Sequence, residues 1–393
     1  MRPYNPMTVL KMSARFLLAQ FFAEKKCDLG IDVGTAKFYE LRDAFNCLPG
    51  AKLLSVERIM RDVFFFASDD ETLTKAIEAV EVLGYTFPVE FSNLKNRYDK
   101  AFYIYLNYRE IWEASSLFAH SDTLSARHWY RFHIPSHMTM KHDPETLGKL
   151  GSDISAYFWQ HQQRGKHYIA EYQERHNGLQ YIFVYLSDYS DIYEKWETDS
   201  GEEKLVRREE CRAFNIVFIH NPEQGVIETY CMGGVKHAKH LQEAFCRNIF
   251  TMPIKNEEVR KNTYSINDLK YIENMLKPCP RLGVANPRIV MMQFSIPETK
   301  RRSHAISVED NSDGEEIYRS LAHDLHPTNY PLDILKITKI RLLLDIMLDG
   351  VSRTMSITVQ PNKCTLRSSL EELRNIGEQY LLEEGVDAQP RLF

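Results

Sequence analysis

Hydrophobic positions along this 393-residue chain follow a helical period in the first part and a strand period further on. From residue 7 to 24, Val9, Leu10, Ala14, Leu17, Leu18 and Phe21 fall on one stripe and predict an amphipathic helix. Gly30 and Gly34 break it. A helix is expected from Phe38 to Cys47, stopped by Leu48-Pro49-Gly50, and a second beginning near Ser55, with Ser55 as N-cap ahead of Glu57. Helix, short Gly-containing turn, helix over 38–66 is the outline of a helix-turn-helix. A further helix is read over Thr72–Leu83, ended by Gly84. A long one runs from Phe91 to Phe118, with Phe91, Leu94, Tyr98, Phe102, Tyr105, Tyr108 and Trp112 spaced by three or four residues. Such a stripe offers stacking surface for bases, but aromatic stripes at helical spacing more often fill a core. Asp143-Pro144-Glu145 combines an N-cap with Pro at the first helical position, and opens a helix to Gln162.

Near residue 166 the pattern changes. Ile169–Glu174 and Tyr181–Leu186 flank His176-Asn177-Gly178, and Asn-Gly between two β-prone runs predicts a hairpin turn with positive φ. The returning run is apolar on both faces, as a strand covered on both sides would be. A second hairpin follows: Ala213–Ile219, the turn Asn221–Gly225, then Val226–Cys231. After Gly233-Gly234 a helix carries Ala238, Leu241, Ala244, Phe245 and Ile249 on one side. Pro253 to Pro287 is punctuated by Pro, Cys and Gly and reads as a linker. Beyond it come strands Ile289–Ile296, Ala305–Val308, Lys339–Ile346 and Arg353–Val359, a helix near Glu315–Leu321, and the turn Asp349-Gly350. The strands flanking that turn alternate, which gives each one wet face. Ser368 with Glu371, or Ser369 with Glu372, forms a capping box for a last helix stopped at Gly385.

These elements predict an α+β protein. Residues 1–165 form an all-helical domain with a candidate helix-turn-helix at 38–66. Residues 166–255 form a central α+β module, 256–287 a linker, and 288–393 a C-terminal α+β module. In each module an antiparallel sheet is joined to a helix.

Composition narrows the functional classes. With 44% hydrophobic and 26% charged residues the chain is an ordinary folded protein. Net charge is −5. Residues 1–165 hold 20 Lys and Arg against 20 Asp and Glu, so the acidity lies in the remainder. That argues against a large nucleic-acid footprint, which is built by neutralising phosphates. Seven scattered cysteines, never closer than 15 residues, indicate neither a disulfide framework nor a zinc ribbon. Lys11 and Arg15 interrupt the apolar positions that a signal peptide would need, and no apolar run approaches a membrane span. A soluble, cytoplasmic protein is expected, with no membrane partner.

Four groups of residues invite a chemical reading. Lys52, Arg58 and Arg61 would bring cations to phosphates or guanine edges if the second helix read DNA; the bland alternative is a solvated helix face, since Glu57 and Asp62 dilute the charge. Asp188, Asp191, Glu194 and Lys195, placed in a loop after the strand Tyr181–Leu186, are raw material for metal-assisted phosphodiester cleavage, but also the composition of any wet loop. Gly233, Gly234, Lys236, His237, Lys239 and His240 join a strand end to a helix N-terminus, where free N–H groups and the helix dipole favour an anion. His128, His133, His137 and His142 lie in an irregular stretch; only His133 and His137 have ligand spacing, with Pro135 between them, so no metal site is assigned. No phosphate-binding loop, G-x-S-x-G elbow or cofactor signature occurs, and no cofactor is expected. The reading is a non-catalytic binding or regulatory protein, a subunit of a larger assembly that contacts a protein partner, a second copy of itself, or nucleic acid. The alternative is a divalent-metal-dependent enzyme acting on phosphodiesters.

Overall fold

The computed structural model describes residues 4–67, 73, 83–175, 178–199, 202–250, 263–295, 303–325, 331–348, 350–366 and 371–387. Among them are eleven helices and two five-stranded antiparallel sheets, so the chain is α+β as its patterning indicates. Two compact units result. One comprises Met1–Thr123 with Gln173–Leu179 and Ser187–Phe214; the other comprises Leu124–Tyr172, Gln180–Leu186 and Asn215–Phe393.

Seven helices lie in the first unit: α1 (Pro6–Met12), α2 (Arg15–Glu24), α3 (Phe38–Asn46), α4 (Gly50–Phe66), α5 (Val89–Ser92), α6 (Arg97–Asn107) and α7 (Arg109–Thr123). The single helix expected over 7–24 is two, because the chain turns extended at Ser13 and Ala14. There the Ala14 N–H donates to the Asp99 carboxylate at 2.6 Å, and the Asn96 amide donates to the Met12 carbonyl at 2.9 Å. Groups distant in sequence thus replace the hydrogen bonds that a continuous helix would make. Similarly, the helix expected over 91–118 is interrupted at Asn96, which caps α6 through the Asp99 N–H, and at Tyr108. Its aromatic stripe is core all the same. Phe91, Phe102, Tyr105 and Trp112 are buried with Phe21, Phe22 and Val63. The start near Ser55 is also corrected: α4 begins at Gly50 behind an extended Pro49, and the Ser55 hydroxyl bonds back to the Lys52 carbonyl within the helix. α3 packs on α1, and α4 on α1 and α6. The helix read over 72–83 falls almost wholly outside the described residues.

The first sheet has the order β1 (Trp129–His133), β5 (Val226–Tyr230), β4 (Glu202–Asn221), β3 (Gln180–Asp199), β2 (Tyr168–Glu174). β1 lies inside the stretch read as all-helical. Four of its five residues are buried, so it shows no alternation to mark it as a strand. It pairs with β5 from Trp129↔Tyr230 to His133↔Val226. At the β2–β3 turn Gly178 has φ +73°, and the Arg175 N–H bonds the Leu179 carbonyl at 2.9 Å. Asn177 itself lies outside the described residues. α8 (Pro144–Gln162) and α9 (Val235–Ile249) pack together, and Phe245 of α9 stacks on Phe218 at 4.5 Å.

The second sheet has the order β10 (Lys363–Cys364), β9 (Val351–Gln360), β8 (Lys336–Leu348), β6 (Arg288–Ser295), β7 (Ser303–Ser307). In β8 and β9 the pairs Ile340↔Val359, Leu342↔Ile357 and Leu344↔Met355 lie on one buried face. They share a core with α10 (Glu316–Asp324) and α11 (Glu371–Glu383). Gly350 turns the hairpin at φ +76°; Asp349 and the Ser368/Ser369 capping boxes fall outside the described residues. α11 stops at Gly385, where the Val386 N–H bonds Leu381 and the Gly385 N–H bonds Leu382. The described part of the stretch read as a linker is no tether. Tyr264, Ile266, Leu269, Leu276 and Val284 are buried in the core of this sheet. Their irregular spacing hides that burial from any periodicity.

Candidate functional site

The acids of the phosphodiesterase reading do not converge. β3 does not end at Leu186 but continues to Asp199, so Asp188, Asp191 and Glu194 stand on a strand rather than a loop, as does the backbone of Lys195. Alternate residues of a strand point to opposite faces, so Asp191 points away from the other two, and Asp188 and Glu194 lie ~20 Å apart at ~3.3 Å per residue. Glu194 instead pairs with Arg207 of β4 at 3.0 Å. Among the described residues, no group of three His, Cys, Asp or Glu could hold a metal ion.

On α4, Arg58 and Arg61 are exposed. They share a stripe with the exposed Leu54 and Phe65, at intervals of four, three and four residues. Lys52 does not join them: it precedes Arg61 by about two and a half helical turns, which puts it on the opposite side. Arg61 lies over the Tyr4 ring at 5.3 Å. Burial raises the Asp62 carboxyl, with both arginines opposing that rise, so an acid stands among the cations.

At the end of β5 the chain makes the turn Gly233-Gly234, with φ of +109° and +94°, and α9 begins at Val235. A side chain on Gly233 would be strained in that backbone and would meet the His237 ring at 2.7 Å. Glycine there brings His237 over the turn. His237 Nδ1 lies 2.8 Å from the Tyr157 hydroxyl of α8. Two more imidazoles lie on the Tyr157 ring: His240 stacked at 3.9 Å and 18°, and His161 tilted at 4.4 Å. His161 also reaches the Tyr157 carbonyl through Nδ1, at 2.9 Å. Burial lowers the pKa of His237, and the nearby His161, Lys236 and Arg164 lower it further. Burial likewise lowers that of His240. Lys236 is exposed and Lys239 half-buried. The residues expected to hold an anion are only partly brought together, since His237 and His240 face a tyrosine rather than an open concavity. Tyr157, His161 and Arg164 belong to this cluster without any sequence signal, because an interval of some eighty residues separates them from α9.

A second cluster is buried. Arg131 of β1 contacts Glu378 of α11 at 3.2 Å and Asp387 at 3.6 Å, and His133 Nε2 lies 2.6 Å from Asp387. The Arg131 Nε and His133 Nδ1 are buried without a hydrogen-bond partner. Tyr264 donates to Cys364 Sγ at 3.1 Å. Beside them is a cavity of about 10 Å³, room for one water and not for an organic ligand. Burial pushes the Cys364 thiol up to about 11, the reverse of a nucleophilic cysteine. The chemistry here is that of a structural ion cluster. His133 is thereby a hydrogen-bond partner of Asp387 within this cluster.

One feature escaped the sequence reading. Residues 187–199 and 202–214, the far halves of β3 and β4, form a two-stranded ribbon in the first unit. The side chains of Glu194 and Arg207 meet across the ribbon at 3.0 Å, which puts them on one face. By the two-residue period of a strand, Ile192 and Trp196 of β3 and Leu205 of β4 lie on that same face. Their exposures are 60%, 63% and 50%. The sequence carries no clear alternation here, since Ile192, Glu194 and Trp196 fall on one face and Tyr193 on the other. The other face carries Tyr193 with the Arg212 guanidinium at 3.4 Å from its ring. No known protein-family profile matches this chain, and no curated protein is similar to it in sequence.

Proposed function

We propose that this is a non-catalytic binding protein, a subunit of a larger assembly, and that the β3–β4 ribbon docks a protein partner. The observation that supports this reading is the exposure of Ile192, Trp196 and Leu205 on one face of the ribbon, around the Glu194–Arg207 pair. Large apolar side chains gathered on one exposed face mark interaction sites, and tryptophan is the residue most enriched among binding hot spots. Residues 187–214 hold nine carboxylates and five cations, a net charge of −4, which is most of the −5 of the whole chain. That balance disfavours a nucleic-acid backbone and a second identical ribbon, and favours a partner with an apolar groove and a basic rim. A second reading has one specific support: Arg58 and Arg61 share an exposed stripe of α4, as a helix contacting nucleic acid would require. The phosphodiesterase reading has lost its support, because its acids are dispersed along a strand.

The test is site-specific photocrosslinking in cells, with a benzophenone amino acid in place of Ile192. A discrete adduct is expected whose partner peptides are rich in Lys and Arg. It should vanish in Trp196→Glu with Leu205→Glu, and persist in Arg58→Ala with Arg61→Ala. Loss of the hot-spot pair should weaken binding at least ~30-fold, the equivalent of ~2 kcal/mol. An adduct of twice the chain's mass would make the occupant a second copy. A nuclease-sensitive adduct, or one lost only in the arginine variant, would favour nucleic acid. Absence of any adduct would remove the ribbon as a docking face.

A further inference from the structure

The cluster around Tyr157 has a composition that a purely structural contact between two helices would not need. Three imidazoles, from His161 of α8 and from His237 and His240 of α9, converge on one phenol ring. An imidazole is a neutral ring that becomes a cation when it takes up a proton, and that change falls within the physiological range. We propose that His161, His237 and His240 form a proton-operated clamp on Tyr157, closed when the imidazoles are neutral and released when they are protonated, freeing the Gly233-Gly234 turn and the first turn of α9.

Geometry supplies the mechanism. His161 and His240 both lie against the same ring, so protonating both places two cations within one side-chain cluster. When His237 is neutral, its Nδ1 can accept from the Tyr157 hydroxyl; a protonated Nδ1 can only donate, and the hydroxyl must turn to accept. The surrounding charges set the balance. From α8 and the residues just beyond it come Asp153, which is ion-paired, and Arg164. From α9 come Lys236, Glu243 and Arg247; Asp153 is held by Arg247 at 2.8 Å and by Asn248 at 2.8 Å. From the β5 end comes Cys231, a buried thiol whose pKa burial pushes up to about 12, so it brings no charge near neutrality. Lys236, Arg164 and Arg247 oppose a further positive charge, and Glu243 favours one at His240. The α9 N-terminus adds its own positive partial charge, which also disfavours an imidazolium at His237.

The lowered pKa values of His237 and His240 agree with this direction. A histidine whose folded pKa is depressed binds fewer protons folded than open, so closure is favoured above pH 6.5 and loses ground as pH falls below it. Each unit of depression corresponds to about tenfold in the opening equilibrium.

Hydrogen exchange on the full chain, corrected for intrinsic chemical rates, tests the proposal. Protection of the amides of 235–242 should fall about tenfold between pH 8 and pH 5.5, while that of β8 and β9 stays constant. In His237→Gln with His240→Gln the fall should be less than twofold (~0.4 kcal/mol), and in His323→Gln, an exposed histidine on α10, it should remain. Should the double variant fail to fold, histidine NMR on the wild type decides. The His237 and His240 signals should titrate below the ordinary histidine value, in step with the loss of protection. Unchanged protection in the wild type, a pH response kept in the folded double variant, or titration without loss of protection would each overturn the clamp.

Discussion

Two long hairpins in this chain dispose of their apolar residues in opposite ways. Along β8–β9 the alternating Ile340, Leu342 and Leu344 meet Val359, Ile357 and Met355 on one face, all buried, while Arg341, Asp345 and Thr354 stand on the other. In the far half of β3–β4, Ile192, Trp196 and Leu205 share one face with the Glu194–Arg207 pair, and all three are exposed. The difference is what lies over the face. The β8–β9 face shares a core with α10, α11 and the segment from Tyr264 to Val284. A two-stranded ribbon without such cover is marginal in water. Alternation therefore reports that a strand has an apolar face. It does not report whether the cover for that face is part of the same chain, and that is why the ribbon is the part of this protein from which binding can be argued.

The comparison is sharpened most by removing one leucine from each hairpin. Leu344→Ala deletes a fully buried side chain and should cost about 2–5 kcal/mol. Leu205→Ala, on the ribbon, should stay within about 0.5 kcal/mol. Chemical denaturation of both variants measures this directly, and equal losses would mean that the ribbon face is packed in the folded protein.

Polar faces provide a smaller contrast. On the opposite face of the second sheet the buried Arg288 donates to the Asp345 carboxylate at 2.6 Å, with Thr354 donating to the same group at 2.6 Å. Burial would raise the Asp345 carboxyl, but the Thr354 and Arg288 hydrogen bonds outweigh it and hold its pKa below the usual range. Asp345→Asn should cost about 1.5–3 kcal/mol near neutral pH. The sign follows from linkage. A depressed carboxylate contributes its full stability above its unfolded pKa of ~3.9 and loses it as pH falls below that value, so the variant and wild type should converge in acid. A difference that persists at pH 2 would show that something other than the charge was lost.

The smallest effect is expected at the ribbon's own ion pair. Glu194 and Arg207 are both largely solvent-exposed at 3.0 Å separation. Glu194→Gln should change stability by no more than about 1 kcal/mol, and less in high salt. A larger change in the unfolding midpoint would mean that these two residues do more than register the strands.

What the sequence determined by itself is local. Chain punctuation marked the Gly178, Gly225 and Gly350 turns, the Asp143-Pro144 helix start and the Gly385 stop, because each depends on backbone freedom or capping within a few residues. Alternation in β8 and β9 and the aromatic stripe of α6 and α7 marked core faces for the same reason. The tertiary structure alone decided where helices break, since Asp99 and Asn96 reach Ser13–Ala14 from some eighty residues away. It decided that β1, buried on both faces and so without alternation, is a strand. It also packed the Tyr264–Val284 stretch into a core, through burial that has no period. The candidate sites divide in the same way. The Gly233-Gly234 turn is legible because positive φ is a property of one residue. Bringing Tyr157 and His161 to His237 and His240 requires two helices to pack, and side-chain convergence between distant segments is not encoded at any fixed spacing.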